Sequence, residues 1–174
     1  MKNNKSFKNI QLTKVDIPII RLAICGSVDD GKSTLVGHLM HLKKLIYDDE
    51  YSRLKSSKNQ DTTNLDFSLL TDGLEEEQKQ KITIDVATKY LNFKDFKIIL
   101  SDAPGHEQYT RNMFTAVSNS EIAILLVDVK NGINEQTKRH LNLINLSGIK
   151  KCIIAINKMD LVNYKKNVYE NIEY

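Results

Sequence analysis

Short apolar runs alternate along the chain with amphipathic stretches, which is the pattern of a mostly parallel sheet with helices on both faces. The runs predicted to be strands are residues 19–25, 83–93, 96–101, 122–127 and 152–156. The stretches predicted to be helices are residues 31–46, 107–117 and 134–146, in which apolar side chains recur at helical spacing. The fold class that follows is α/β.

Turn residues and polar segments separate these elements. A tight turn over residues 92–95 joins strands 83–93 and 96–101 and predicts a hairpin. Gly148 follows the third helix and is placed to end it in a C-cap position. The polar segment 47–81 is predicted to be an insertion with some helix, and residues 1–18 a flexible arm. The predicted organisation is therefore an arm over 1–18 and one domain over 19–174.

Composition and charge narrow the classes of partner. The chain has 174 residues, 41% hydrophobic and 27% charged, which is typical of one folded domain. Its net charge of +3 comes from 25 basic and 22 acidic residues spread along the length, so nothing indicates a nucleic-acid partner. Because no apolar run approaches the roughly 20 residues of a membrane span and no signal-peptide core is visible, we expect a cytoplasmic protein without a membrane partner.

The cysteines and three of the histidines suggest no chemistry. Cys25 and Cys152 each lie inside an apolar run, which predicts two buried, inert thiols rather than a disulfide or a metal pair. His38 and His41 are three positions apart on a predicted helix, without an acidic ligand nearby in sequence, so we expect no metal site there. His140 is likewise expected to be an ordinary packed or surface side chain.

The strongest chemical signal is a match to G-x-x-x-x-G-K-[ST] between the first predicted strand and the first predicted helix. Its residues are Gly26, Ser27, Val28, Asp29, Asp30, Gly31, Lys32 and Ser33, followed by Thr34. The glycines allow backbone N–H groups to turn inward around a phosphate. Lys32 supplies a cation for the β- and γ-phosphates, Ser33 a hydroxyl for Mg²⁺, and the helix a favourable dipole. The alternative, a chance glycine-containing turn, fits the flanking strand and helix poorly.

A second motif follows the strand predicted over 96–101, at the strand end where open α/β sheets bind ligands. It comprises Asp102, Ala103, Pro104, Gly105 and His106. The Asp102 carboxylate is placed to hold Mg²⁺, usually through water, and the Gly105 N–H to approach a γ-phosphate. On its own the motif is short enough to be an ordinary turn.

A third motif follows the strand predicted over 152–156 and comprises Asn157, Lys158, Met159 and Asp160. The Asp160 carboxylate is placed to accept hydrogen bonds from guanine N1–H and N2–H₂, a donor pair that adenine lacks. Alone, this motif could also be a polar loop. Three motifs in this order, each after a strand, predict a P-loop NTPase that selects GTP.

The order GSVDDGKS, ITI, DAPGH and NKMD resembles that of the translational GTPases. The segments GSVDDGKSTL, LLTDGLEEEQ, ITIDVATKY, DAPGHEQYTRNM and AINKMDLV resemble the GTP-binding large subunits of sulfate adenylyltransferase more than elongation factors, and cover most of residues 19–162. The resemblance implies that Thr83 binds Mg²⁺ and the γ-phosphate, that His106 orients the attacking water, and that Asp29 helps to neutralise charge near the phosphates. It also implies GTP turnover coupled to formation of adenosine 5′-phosphosulfate from ATP and sulfate, with adenylyl transfer on a small partner subunit.

Two departures from the family pattern leave alternatives open. Relatives usually carry Gly before the switch Thr, whereas this chain has Lys81, which would be strained by roughly 1 to 2 kcal/mol if that position has φ > 0 and would slow hydrolysis. The chain also ends at Tyr174, so we expect the last strand and helix of the GTPase domain to be missing, with an exposed sheet edge. The alternatives are an elongation-factor-like translational GTPase and a degenerate, non-enzymatic nucleotide-binding fragment.

Overall fold

The computed structural model describes residues 17–46 and 85–173, and within them one five-stranded sheet. Its strands are β1 Ile19–Gly26, β2 Ala87–Asn92, β3 Lys97–Asp102, β4 Ile122–Asp128 and β5 Lys151–Asn157, in the order β2-β3-β1-β4-β5. β1 pairs in parallel with β3 and β4, and β5 pairs in parallel with β4, whereas β2 runs antiparallel to β3. The predicted α/β class and the predicted hairpin are confirmed.

Helices and two 3₁₀ turns connect these strands. In the described ranges the helices are α1 Lys32–Leu42, α2 Thr110–Ser118, α3 Glu135–Leu146 and α4 Lys166–Glu173. The 3₁₀ turns are Glu107–Tyr109, directly before α2, and Met159–Val162, after β5. None of the helices in these ranges is both long enough and apolar enough to cross a membrane.

The apolar core lies on both faces of the sheet. One cluster joins β1 and β4 to α2 and α3 and includes Ala23, Cys25, Met113, Val117, Leu125 and Ile144. The other joins the sheet to α1 and includes Ile24, Val36, Met40, Leu91, Leu100 and Leu126. Neighbouring residues of β1 alternate between the two clusters, as the two-residue period of a strand requires. Helices therefore cover both faces, as the apolar pattern predicts.

Helix α1 ends at Leu42 rather than at residue 46, so the predicted boundary is wrong. Lys44 adopts the left-handed conformation, with φ of 53°, and the Leu45 N–H donates to the Met40 carbonyl at 3.0 Å. The chain then turns, and Leu45 and Ile46 pack against the cluster around α1. Because these two side chains still face the core, their apolar spacing continues beyond the end of the helix.

Other predicted boundaries shift by small amounts. The helix predicted over 107–117 begins with a 3₁₀ turn, and α2 itself starts only at Thr110. β2 starts at Ala87. Asp85 and Val86 were predicted to belong to this strand but lie outside it. Residues 83 and 84, the insertion over 47–81 and residues 1–16 of the predicted arm lie outside the described residues.

Helix α3 has an end signal at each terminus, of which only Gly148 was predicted. The Asn134 Oδ1 accepts a hydrogen bond from the Thr137 N–H at 2.8 Å, which makes Asn134 the N-cap of a helix that begins at Glu135. At the other end Gly148 has φ of 80°, the left-handed conformation that a residue just past a helix adopts. The sequence therefore specifies this helix locally at both ends.

The two cysteines differ in burial, and the prediction of a buried Cys152 is wrong. Cys25 in the central strand β1 is inaccessible to solvent, and burial raises the pKa of its thiol to about 12. Cys152 is exposed because β5 forms the edge of the described sheet, where Ile153 and Ile154 are also 53% and 54% exposed. An apolar run alone therefore does not distinguish a central strand from an edge strand.

Candidate nucleotide-binding site

The three sequence motifs meet at the carboxyl ends of β1, β3 and β5. The Asn157 Nδ2 donates to the Asp30 carbonyl at 2.8 Å, which joins the third motif to the first. A Cβ on Gly105 would lie 2.9 Å from the Gly26 carbonyl oxygen, so the second motif also lies directly against the first. Parallel strands deliver their carboxyl ends to one edge, which explains why motifs distant in sequence converge here.

The loop between β1 and α1 is held by its own side chains. The buried Asp30 carboxylate accepts a hydrogen bond from the Ser27 N–H at 2.7 Å, and burial raises the pKa of Asp30 despite that bond. Asp29 is exposed and has φ of 64°. Gly31 has φ of 90°, and a Cβ there would meet the Asn157 Nδ2 at 2.5 Å. Only glycine fits at position 31, because its backbone is left-handed and its neighbour is close.

Lys32 is the buried cation of this loop. Its side chain is only 6% exposed, and its Nζ donates to the Ser27 carbonyl at 2.7 Å. Burial lowers the pKa of Lys32, while the nearby carboxylates Asp102 and Asp30 act to raise it. A cation held in this way by backbone and carboxylates, at the start of a helix, is suited to a polyphosphate.

The donor groups around Lys32 fit a magnesium ion held together with a phosphate. Asp102 is fully buried at the end of β3, and Ser33 follows Lys32 in the first turn of α1. Mg²⁺ prefers oxygen ligands and is commonly bound by one or two protein groups plus substrate phosphates. The described residues contain no cluster of three or more His, Cys, Asp or Glu side chains that could hold a metal ion. Thr83 lies outside the described residues.

The second motif lies against the loop between β1 and α1, residues 26–31, which is called the phosphate loop from here on. Ala103 and Pro104 are buried, and a Cβ on Gly105 would lie 2.9 Å from the Gly26 carbonyl oxygen as well as 2.5 Å from the Lys32 Nζ, so a side chain there would force the backbone to shift. His106 is exposed, with extended backbone that precedes the 3₁₀ turn, and its ring lies 6.1 Å from that of Tyr109. The structure thus places Gly105 against the loop and leaves the His106 imidazole accessible at the rim of the site.

The third motif presents one polar group to the loop and another to solvent. Lys158 has φ of 59°, and its Nζ donates to the Asp128 Oδ2 at 2.8 Å. Burial acts to raise the pKa of Asp128, but the hydrogen bonds from Lys158 and the Lys130 N–H hold it below its usual range. Met159 and Asp160 begin the following 3₁₀ turn, and Asp160 is exposed. Asn157 therefore supports the loop, whereas the Asp160 carboxylate remains accessible to a ligand.

The first turn of α3 contacts two of the loops at the site, the one that contains Ser27 and the one that contains Gly105. The Ser27 Oγ donates to the Asn134 Oδ1 at 3.2 Å and lies 3.4 Å from the Thr137 Oγ1. The Gln136 Nε2 donates to the Gly105 carbonyl. These contacts, and the Asp128–Lys158 ion pair, involve functional residues that the sequence motifs do not include. Asp128 could have been found by the rule applied to the other strands, since it ends β4.

The other three histidines lie on helices α1 and α3. His38 and His41 are exposed on α1, and the His38 Nδ1 lies 2.9 Å from the Thr34 carbonyl oxygen. His140 is buried in α3, and its Nδ1 has no hydrogen-bond partner among the described residues. Burial, aided by the charges of Lys32 and Arg139, lowers the pKa of His140 to about 4.

Two curated relatives with similar sequences carry the same name. Sulfate adenylyltransferase subunit 1 of Buchnera aphidicola subsp. Acyrthosiphon pisum (strain Tuc7) is 50% identical over 177 residues, which cover 99% of this chain and 37% of the relative. The protein of the same name from Alteromonas mediterranea is 52% identical over 158 residues, which cover 89% of this chain and 34% of the relative. The chain therefore spans little more than a third of the length of these relatives.

Solved structures agree with the fold. A bacterial selenocysteine-specific elongation factor, EF-Sec, matches with a TM-score of 0.66 and 30% identity over 90% of this chain and 22% of its own. The S. cerevisiae Ski7 GTPase-like domain, bound to GTP, matches with a TM-score of 0.74 over 90% of this chain and 38% of its own, at 24% identity, which shows the fold alone. The family model described as the elongation factor Tu GTP binding domain matches residues 17–173. The chain belongs to the elongation factor Tu GTP-binding domain family.

Proposed function

We propose that this chain binds and hydrolyses GTP, and that it does so within the large subunit of a sulfate adenylyltransferase. The observation that carries the proposal is the convergence of three loops around the buried Lys32 ammonium group, with Gly105 and Asn157 packed against the phosphate loop. The proposed GTP-binding domain comprises residues 19–174, with residues 1–18 as an arm.

In this proposal each polar group on the phosphate side of the site has its own role. Lys32 neutralises charge on the β- and γ-phosphates, and the backbone of residues 26–34 surrounds them. Ser33 and Asp102 hold Mg²⁺, directly or through water, and Thr83 completes the set by resemblance to the family. When bound, Mg²⁺ would neutralise charge on the phosphate oxygens. The nearby Asp102 carboxylate acts to raise the pKa of the buried Lys32 and so favours the charged form of its ammonium group.

The base side of the site selects guanine. Asn157 donates to the Asp30 carbonyl and Lys158 pairs with Asp128, so these two consecutive residues are fixed at the end of β5. The exposed Asp160 carboxylate accepts the two donors of the guanine edge. Adenine would leave that charged acceptor unpaired, which disfavours ATP.

Hydrolysis depends on a water positioned by His106. Its imidazole is exposed and directly follows Gly105, whose backbone lies against Gly26 and Ser27. In phosphoryl transfer, positioning and electrostatics account for most of the catalysis. His106 is therefore assigned an orienting role rather than that of a strong base.

Sulfate activation is the process that sequence similarity supports best. Relatives named as sulfate adenylyltransferase subunit 1 are about half identical to this chain, whereas the elongation factor EF-Sec is 30% identical. In this proposal GTP turnover is coupled to formation of adenosine 5′-phosphosulfate from ATP and sulfate. The adenylyl transfer itself takes place on a small partner subunit, and no nucleic acid or membrane takes part.

The nucleotide part of the proposal is tested by titration of the chain with labelled GDP and ADP in the presence of Mg²⁺. We expect GDP to bind at least about tenfold more tightly, because ADP leaves Asp160 without its two donors. Equal affinities would remove the guanine assignment. Binding of GDP and GTP without hydrolysis of the bound GTP would favour the degenerate, non-enzymatic nucleotide-binding fragment.

The proposed role in sulfate activation is tested separately, by identifying the partner that the chain binds. The chain, extended to the full length of its relatives, should co-purify with the small adenylyl-transferring subunit and not with ribosomes. Its GTP turnover should rise when ATP and sulfate are supplied to the complex. Binding to ribosomes without binding to the small subunit would favour a translation factor instead.

A further inference from the structure

Helix α3 contacts the chain immediately before and immediately after His106. On one side the Gln136 Nε2 donates to the Gly105 carbonyl, which belongs to the peptide that joins Gly105 to His106. On the other side the Arg139 Nη1 lies 2.5 Å from the Glu107 Oε1, and this pairing lowers the pKa of Glu107. Gln136 and Arg139 are three positions apart and so project from the same face of the helix.

The same helical turn is also fixed to the phosphate loop. The Asn134 Oδ1 caps the helix at the Thr137 N–H and accepts from the Ser27 Oγ, while the Thr137 side chain is buried beside Ser27. A single turn of helix therefore connects the phosphate loop to the peptide that carries His106. Any displacement of one loop relative to the other has to move this turn or break its hydrogen bonds.

We propose that Gln136, supported by Arg139, is a positioning residue for His106. The proposal rests on the proposed GTP hydrolysis and names residues that neither the sequence motifs nor the family resemblance includes. Gln136 fixes the plane of the Gly105–His106 peptide, and the orientation of that peptide sets the direction in which the imidazole projects. Gln136 touches neither the phosphates nor the attacking water, so its effect on hydrolysis passes through His106.

The two contacts should differ in strength and in their response to salt. The Gln136 amide is partly buried and acts on a neutral carbonyl, so ionic strength should change its effect little. The Arg139–Glu107 pair is largely exposed, and such pairs are weak and screened. We therefore expect Gln136 to carry most of the positioning and Arg139 to add a smaller, salt-sensitive part.

Gln136→Met tests the proposal, because Met keeps the length of the side chain and removes the donor. Single-turnover GTP hydrolysis should fall about five- to tenfold, while GDP affinity stays within about twofold of the parent. Lys138→Met is the matched control, because it introduces a methionine on the same helix. Lys138 is exposed, and among the described residues its side chain pairs only with Glu135. This substitution should change neither quantity. Arg139→Gln should lower hydrolysis about twofold at low salt and not at high salt.

A double-mutant cycle separates positioning from general damage. In a His106→Ala background, Gln136→Met should produce no further loss, because the group that it orients is gone. A further loss of the same size in that background would overturn the proposal, as would a parental rate for Gln136→Met. If the parent binds no guanine nucleotide, the proposed function fails on its own evidence.

Nuclear magnetic resonance of the nucleotide-free chain supplies a readout that is independent of activity. The backbone amide and imidazole signals of His106 should shift or broaden in Gln136→Met and remain unchanged in Lys138→Met. Unfolding temperatures of the two variants show whether both are folded. His106 signals that are identical in the parent and in folded Gln136→Met would contradict the proposal even if hydrolysis cannot be measured.

Discussion

Lys32 and His106 lie in opposite environments within one site, and their substitution should therefore have different consequences. Lys32 is buried and bonded to the loop that surrounds the phosphates, whereas His106 is exposed at the rim. A charge on the phosphates acts in the ground state and in the transition state alike. A group that orients water acts mainly in the transition state.

Lys32→Ala should abolish nucleotide binding, with a loss of affinity on the order of 100-fold or more, because the phosphates lose a charged hydrogen bond in a buried site. His106→Ala should leave GDP affinity within about threefold and lower single-turnover hydrolysis at least about tenfold. Equilibrium titration and rapid-quench kinetics measure the two effects. Lys94→Ala, in the exposed turn between β2 and β3, is the control for loss of a lysine. Hydrolysis at the parental rate in His106→Ala would remove its catalytic assignment.

His140 should make the stability of the fold depend on pH. Its pKa in the folded chain is about 4, below the usual 6.5, so the unfolded chain binds more protons between these values. The stabilising contribution is present above pH 6.5 and is lost as the pH falls toward 4, by on the order of 3 kcal/mol. His140→Gln should reduce this dependence between pH 7 and 4.5, measured by urea unfolding. An equally steep dependence in the variant would show that other groups cause it.

At the scale of elements, the cap of α3 should contribute both to stability and to the site. Asn134→Ala removes the acceptor for the Thr137 N–H and for the Ser27 Oγ, and should cost about 1 to 2 kcal/mol of unfolding free energy. Asn142→Ala, in the exposed part of the same helix, should cost less than about 0.5 kcal/mol. GDP dissociation should also accelerate only in Asn134→Ala. Equal stability losses in the two variants would contradict the capping role.

The elements could be predicted from the sequence where local signals coincide with the core. β1, β4 and α3 combine apolar periodicity with clear ends, and their predicted boundaries lie within a residue or two of the observed ones. The prediction of α1 overran because Lys44 takes a left-handed conformation that its residue type does not indicate. Cys152 was predicted to be buried because its apolar run resembles that of a central strand. Its exposure follows from the position of β5 at the edge of the described sheet, and a local sequence pattern does not indicate that position.

The site shows the same division between local and long-range information. The phosphate loop, Asp102 and Asn157 are readable because each motif directly follows a strand. Gln136 and Arg139 were missed because their partners lie about 30 positions away in sequence and meet them only after folding. Such contacts have no spacing signature, so only coordinates reveal them.

At the scale of the whole molecule, β5 forms one edge of the described sheet and exposes apolar side chains there. Ile153 and Ile154 are about half exposed on an edge strand, a feature that favours association between chains. Ile154→Thr keeps a β-branched side chain and should raise the temperature at which light scattering begins, at a cost of about 1 kcal/mol or less. Leu126→Ala, in the buried core, should instead cost about 2 to 5 kcal/mol. Unchanged scattering in Ile154→Thr would show that association starts elsewhere.

The account as a whole depends on the assignment of Asp160 as the group that reads guanine, and an exchange of base specificity tests it most directly. Asp160→Asn presents a donor where the parent presents only acceptors, and xanthine carries a carbonyl at C2 where guanine carries an amino group. Titration of both proteins with GDP and xanthosine diphosphate should show the parent preferring GDP and the variant preferring xanthosine diphosphate, each by at least about tenfold. If Asp160→Asn binds GDP as tightly as the parent does and gains nothing for xanthosine diphosphate, the base does not lie where this account places it.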